Sequence, residues 1–167
     1  MVKIAPEFTM KRMIDDYFEK YYNKLFTRNK YLIENNFEKA KEIASWKKTM
    51  RDEWDNIEVL NYSFEKAGDN IYSSGHDYRA EIALDVKNIP KENVGVEFIV
   101  THMSKKGEHE FVASEEFRLI NCKNGKCLYR ASLVPEKAGS FFYGIRIYHK
   151  HKDLPHKQDF YLLRWID

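Results

Sequence analysis

The sequence predicts a mainly β protein, an immunoglobulin-like antiparallel sandwich of about seven strands preceded by an N-terminal helical arm of two helices. Three observations carry that reading. Apolar residues up to about Asp55 recur at spacings of three and four, the period of a helix face. Beyond Ile57 the apolar residues fall into short alternating runs separated by turn residues, with no helical stretch between them. The change of period falls inside Lys41 to Tyr62, KEIASWKKTMRDEWDNIEVLNY, where Trp46, Met50 and Trp54 lie four apart and share one helix face. The expected division is therefore 1–55 for the arm and 56–167 for the sandwich.

The arm opens with Met10, Met13, Ile14, Tyr17, Phe18, Tyr21, Tyr22, Leu25 and Phe26, an unbroken helical stripe. Thr9 is placed to cap it, and a helix over residues 9–33 would be roughly 37 Å long. Its wet face carries Lys11, Arg12, Asp15, Asp16, Glu19 and Lys20. Core packing is the ordinary fate of such a stripe. This one is long for a small domain, so part of it is expected to lie against a partner surface. Asn35-Asn36 breaks the helix, and Asn36 is placed to cap a second one from Phe37 to about Arg51, with Phe37, Ala40, Ile43, Ala44 and Met50 inward.

The β-region follows from Ile57. KAGDN at 66–70 and SSGHD at 73–77 read as loops. YRAEIALDV places Tyr78, Ala80, Ile82, Leu84 and Val86 on one face, and VGVEFIVTH does the same for Val94, Val96, Phe98 and Val100. EEFRLINC and KCLYRASLV form a hairpin about Asn124-Gly125, a two-residue turn signal. PEKAGSFFYGIRIYHKH gives a turn and a long aromatic strand, and DFYLLRWI closes the chain.

Composition narrows the function classes. The chain has 167 residues, 43% of them hydrophobic and 15% aromatic, which suits a packed core rich in rings. Its net charge of +2 arises from 28 basic and 26 acidic residues, so no global field favours nucleic acid or an anionic membrane. MVKIAPEFTMKRMIDDY has no continuous apolar run, hence neither a signal peptide nor a membrane anchor is expected, and the location is read as cytoplasmic. The hairpin sets Cys122 and Cys127 across from each other, and in cytosol they are expected as reduced thiols.

Few residues suggest chemistry. His149, His151 and His156 cluster with Arg146, Lys150, Lys152 and Lys157, but no acidic or thiol partner comes at a metal-ligand offset, so a solvated basic loop is expected and no metal. No serine or cysteine sits in a nucleophile turn, and no glycine-rich phosphate loop is present. Glu115 and Glu116 alternate to opposite strand faces and read as surface charge. No catalytic residue is assigned. Tyr143, Tyr148 and Trp165 are candidates for stacking on sugar rings, weighed against a core or interface role.

The arm also carries a resemblance. FTMKRMIDDYFEKYYNKLFTRN followed by KAKEIASWKKTMRDEWDNIEV is similar to the tail of bacterial (Bacteroides-type) α-glucan phosphorylases, which act on glycogen or starch. In those enzymes an RM-x-x-DY helix, here Arg12, Met13, Asp16 and Tyr17, leads into a paired-tryptophan segment, here Trp46, Lys47 and Trp54. NIPKENVGVEF and the closing GSFFYGIRIYHKHKDLPHKQDFYLLRWID resemble the rest of that tail. The resemblance implies a C-terminal piece of an enzyme that phosphorolyses α-1,4-glucans to glucose 1-phosphate, with pyridoxal phosphate held in a catalytic region outside this chain and no cofactor in it. It implies the catalytic domain as partner, met through Tyr17, Phe18, Tyr21, Tyr22, Trp46 and Trp54, and self-association of the isolated piece through the same rings. In that resemblance the sandwich braces the catalytic body, helps it oligomerise or touches α-glucan. The other expectation from the residues is a self-contained binding module for a glycan or protein, with the helices as its own cap.

Overall fold

A computed structural model describes residues 9–65, 71–136 and 138–166, with backbone alone at Ile71. The chain separates into two compact units, Met1–Lys47 and Lys48–Asp167. Among the described residues no helix is long and apolar enough to cross a membrane.

The first unit is helical. Helix α1 spans Met10–Tyr17 and starts where expected: Thr9 is extended, and its hydroxyl accepts the Arg12 backbone N–H at 3.3 Å. The helix does not continue in one geometry. Phe18–Tyr22 winds as a π-helix, and α2, Asn23–Glu53, runs on past the end of this unit. The predicted break is present, but its shape differs. Asn35, Asn36 and Phe37 all adopt left-handed backbone angles after an extended Glu34, so Asn36 is part of the kink and not an extended N-cap. Phe37, expected inward, consequently stands 51% exposed.

Among the described residues the second unit has the last turns of α2, a 3-10 turn over Trp54–Asn56, and then ten strands. These are β1 Glu58–Phe64, β2 Ile71–Tyr72, β3 Tyr78–Asp85, β4 Val94–Met103, β5 His109–Glu116, β6 Arg118–Lys123, β7 Lys126–Leu133, β8 Gly139–Ser140, β9 Phe142–His149 and β10 Leu163–Ile166. One sheet has the order β1-β3-β7-β6, the other β10-β9-β4-β5, and β2 pairs with β8 in a separate ribbon. Every pairing is antiparallel. The antiparallel sandwich read from the sequence is thus present, with more strands than anticipated because the short β2–β8 ribbon and the separate β5 had no strong pattern.

The alternating runs meet between the sheets. Ile82 and Leu84 of β3, Val96 and Phe98 of β4 and Ile147 of β9 are at most 1% exposed, and burial of each such side chain stabilises by about 1.5–3 kcal/mol. Met50 and Trp54 join this core at 1% and 3%. The segment read as one strand, EEFRLINC, changes sheets in its middle. β5 belongs to one sheet and β6 to the other, with buried Phe117 at the crossing and its backbone N–H on the Val96 carbonyl at 2.9 Å.

The β6–β7 hairpin turns at Asn124 and Gly125, whose φ values of 52° and 78° match the positive-φ pair that such a turn requires. Cys122 and Cys127 face each other across it with Cα atoms 4.0 Å apart, and their sulfurs are joined in a disulfide. This corrects the expectation of free thiols, which rested on compartment and not on geometry.

Candidate functional site

Two surfaces stand out, one on each unit. On the arm, all nine residues of the stripe from Met10 to Phe26 are between 46% and 70% exposed, with Tyr17 at 50%, Phe18 at 59%, Tyr21 at 56% and Tyr22 at 61%. Tyr17 and Tyr21 touch, their centroids 5.6 Å apart, as the helical spacing dictates. Trp46 is half-buried, whereas Trp54 lies inside the sandwich unit.

On the sandwich, a cleft of about 680 Å³ opens between the two sheets. Its inner wall is a connected set of rings. Phe64 lies 4.2 Å from Tyr143 and 4.9 Å from Phe98 between centroids, Phe98 and Tyr143 stack with 11° between planes, and Tyr72 lies 6.2 Å from both Phe64 and Phe141. The β4–β5 register sets Glu115 opposite inward-facing Phe98, so its carboxylate stands on the cleft side of β5. Among the described residues no cation pairs with Glu115. Tyr72 is 2% exposed and its hydroxyl has no hydrogen-bond partner among the described residues, an arrangement that costs about 1–3 kcal/mol. Burial pushes the Tyr72 phenol above its ordinary pKa, and the neighbouring Tyr143 and Tyr78 phenols push it the same way.

Tyr143 is therefore the sugar-stacking candidate whose ring lines the cleft between the sheets. Tyr148 is 3% exposed and belongs to a polar network on the outer face of the β10-β9-β4-β5 sheet. Lys157 Nζ sits 4.0 Å over its ring, and Gly95 lies opposite it because a Cβ there would come within 2.4 Å of that ring. Next along, Glu97 is buried and binds Arg146 Nε at 2.6 Å and Lys157 Nζ at 3.0 Å. Glu116, on this side as alternation requires, accepts from Lys150 at 2.5 Å. Burial raises the Glu116 pKa, but the Lys150 bond to its carboxylate and the positive charges of Lys150 and Lys157 outweigh that and leave it below the usual range. Burial also raises the Tyr148 phenol, reinforced by the Glu116 charge. Trp165 is 48% exposed, with the Arg146 guanidinium 5.4 Å from its centroid and Gly144 beneath its ring.

The histidines do not converge on one point. Nδ1 of buried His149 lies 3.0 Å from the Leu162 carbonyl oxygen, which only accepts, so this nitrogen carries the proton. His151 Nδ1 accepts the Asp153 backbone N–H at 3.2 Å, and His156 Nδ1 accepts that of Gln158 at 3.1 Å, capping the 3-10 turn Lys157–Asp159. Sequence reasoning did not find Phe64, Tyr72, Phe141 or the cleft role of Glu115. Aromatic content was the available signal, and it does not say which rings line an opening.

The fold and these surfaces define an antiparallel β-sandwich module with a helical lead-in and a ring-lined cleft. A sequence model described as "Glycogen phosphorylase C-terminal domain" matches residues 54–167, and the chain belongs to that family. The chain is also similar to "Maltodextrin phosphorylase" of Thermococcus litoralis, with 27% identity over 172 residues. That match covers 97% of this chain and 19% of the relative, so the chain spans about a fifth of the relative's length.

Proposed function

We propose that this chain is the C-terminal region of an α-glucan phosphorylase, and that its helical arm packs on the catalytic body while the sandwich braces it. The uncovered stripe from Met10 to Phe26 carries this reading, because a run of exposed rings of that length is stable in water only when another surface covers it. In this proposal the parent enzyme phosphorolyses α-1,4-glucan to glucose 1-phosphate with pyridoxal phosphate bound in the body, and residues 1–55 form the close of that body. Tyr17, Phe18, Tyr21, Tyr22 and half-buried Trp46 make the contact, Trp54 being buried in the sandwich, and the isolated chain self-associates through the exposed aromatic helix. The proposal keeps a cytoplasmic setting, with the Cys122–Cys127 disulfide as the feature that speaks against a strongly reducing one.

The test is reconstitution in trans. The remainder of the phosphorylase polypeptide, produced separately, is expected to co-elute with this chain and to release more glucose 1-phosphate from maltoheptaose when the chain is added. The double variant Phe18→Lys, Tyr22→Lys should abolish both effects without altering unfolding of the sandwich. Equal association by the variant would remove the arm from the interface. Glucose 1-phosphate release by this chain alone would overturn the assignment of the chemistry to the body. A clean monomer that binds no hydrophobic dye would favour a self-contained module instead.

A further inference from the structure

We infer that the cleft between the sheets binds a stretch of α-1,4-linked glucose, an inference that rests on reading the parent as an α-glucan phosphorylase. A glucose ring presents apolar C–H faces and a rim of hydroxyls, so a site for it needs flat apolar walls and a few acceptors at the edge. The cleft supplies both. Phe64, Phe141 and Tyr143 form the walls, backed by buried Phe98, and Glu115 offers carboxylate oxygens at the mouth, where a charged acceptor forms the stronger class of hydrogen bond to a hydroxyl. At about 680 Å³ its volume falls in the range of small-molecule sites.

The polar groups select among occupants. An apolar side chain or lipid tail would satisfy the rings and strand the Glu115 carboxylate. An anion would meet Glu115 and, on the same rim, Glu136, while His102 on this lining is already held by Glu110 at 3.2 Å. A neutral polyol satisfies the walls and the carboxylate at once. Tyr148 and Trp165 are outside this site, since one ring is buried beneath Lys157 and the other lies on the outer sheet face beside Arg146.

Two-dimensional NMR of the 167-residue chain, titrated with maltoheptaose to millimolar concentration, tests the inference. Saturable shifts are expected at Tyr72, Phe98, Glu115 and Tyr143, with smaller ones from a β-1,4-linked oligosaccharide of similar length. Loss of one hydrogen bond is worth about a fivefold change in Kd, so Glu115→Gln should weaken binding by about that factor and Tyr143→Ala by more, whereas Tyr72→Phe, at a hydroxyl sealed inside the sandwich, should leave it unchanged. The thermal midpoints of the two conservative variants report whether the sandwich stays folded. Absence of shifts, shifts confined to Tyr148 or Trp165, or binding unchanged in Glu115→Gln would each overturn the inference. So would a hydrophobic dye that occupies the cleft where maltoheptaose does not. Because this readout needs only the isolated chain, its failure alongside successful reconstitution removes the glucan site alone, whereas failed reconstitution removes the reading of the parent.

Discussion

Tyr129 offers a sharp test of how the sandwich balances burial against hydrogen bonding. It sits on β7 in the middle of its sheet, 3% exposed, with a hydroxyl that has no hydrogen-bond partner among the described residues. Tyr129→Phe removes that oxygen and little else. An unpaired buried hydroxyl costs about 1–3 kcal/mol, so allowing for the small void left behind, the variant should be about 1 kcal/mol more stable at pH 7. The same group sets an alkaline signature. Burial holds the folded phenol up to about 12 from an ordinary value of 10.0. Above pH 10 the unfolded chain has therefore shed a proton that the folded chain keeps, and stability falls as pH rises from about 10 to about 12. At pH 11 that linkage amounts to about 1.4 kcal/mol, which the phenylalanine variant does not suffer. Guanidinium unfolding followed by the fluorescence of buried Trp54, run on both proteins at pH 7 and pH 11, reads the two differences. A variant less stable than the parent at pH 7, or a gap that fails to widen at pH 11, would refute the reasoning.

Other substitutions probe the outer face of the β10-β9-β4-β5 sheet. Gly95→Ala drives a methyl into the Tyr148 ring, and overpacking of this kind should cost about 1–3 kcal/mol in chemical unfolding. Arg146→Met strips buried Glu97 of its shorter ion pair, leaving Lys157 as the remaining cation named on that carboxylate. A loss of about 3 kcal/mol is expected, whereas the joint change Glu97→Leu, Arg146→Met should recover much of it because no buried charge is then left behind. Trp165→Ala, on a half-exposed ring, should cost the sandwich less than Met50→Ala, which empties a site 1% exposed and is expected to lose about 2–5 kcal/mol.

Much of the sandwich was legible because two of its central strands alternate without interruption. Tyr78, Ala80, Ile82, Leu84 and Val86 are all buried, as are Val94, Val96, Phe98 and Val100. The turn at Asn124-Gly125 and the Thr9 cap were equally plain, since each depends on a local rule that no distant contact overrides. The burial of β4 on both faces from Val94 to Val100 was not legible. Gly95, Glu97 and Ile99 are covered on the second face by segments far along the chain, including Tyr148 and Lys157, and no period-two pattern reports that. The left-handed stretch at Asn35 to Phe37 was foreseen as a break but not in form, because Phe37 is an unexpected residue for positive φ. For the cleft, Tyr143 was singled out among three aromatic candidates that the sequence could not rank. Only the sheet order, which leaves β5 at an edge with Glu115 turned inward, separates it from Tyr148 and Trp165.

The crossing at Phe117 has a kinetic consequence. Since β5 and β6 are one continuous stretch shared between the two layers, neither layer can open along that margin without pulling on its counterpart. Slowly exchanging amides on β4 and β7 should accordingly lose their protection together, at one common opening rate, instead of in two separate steps.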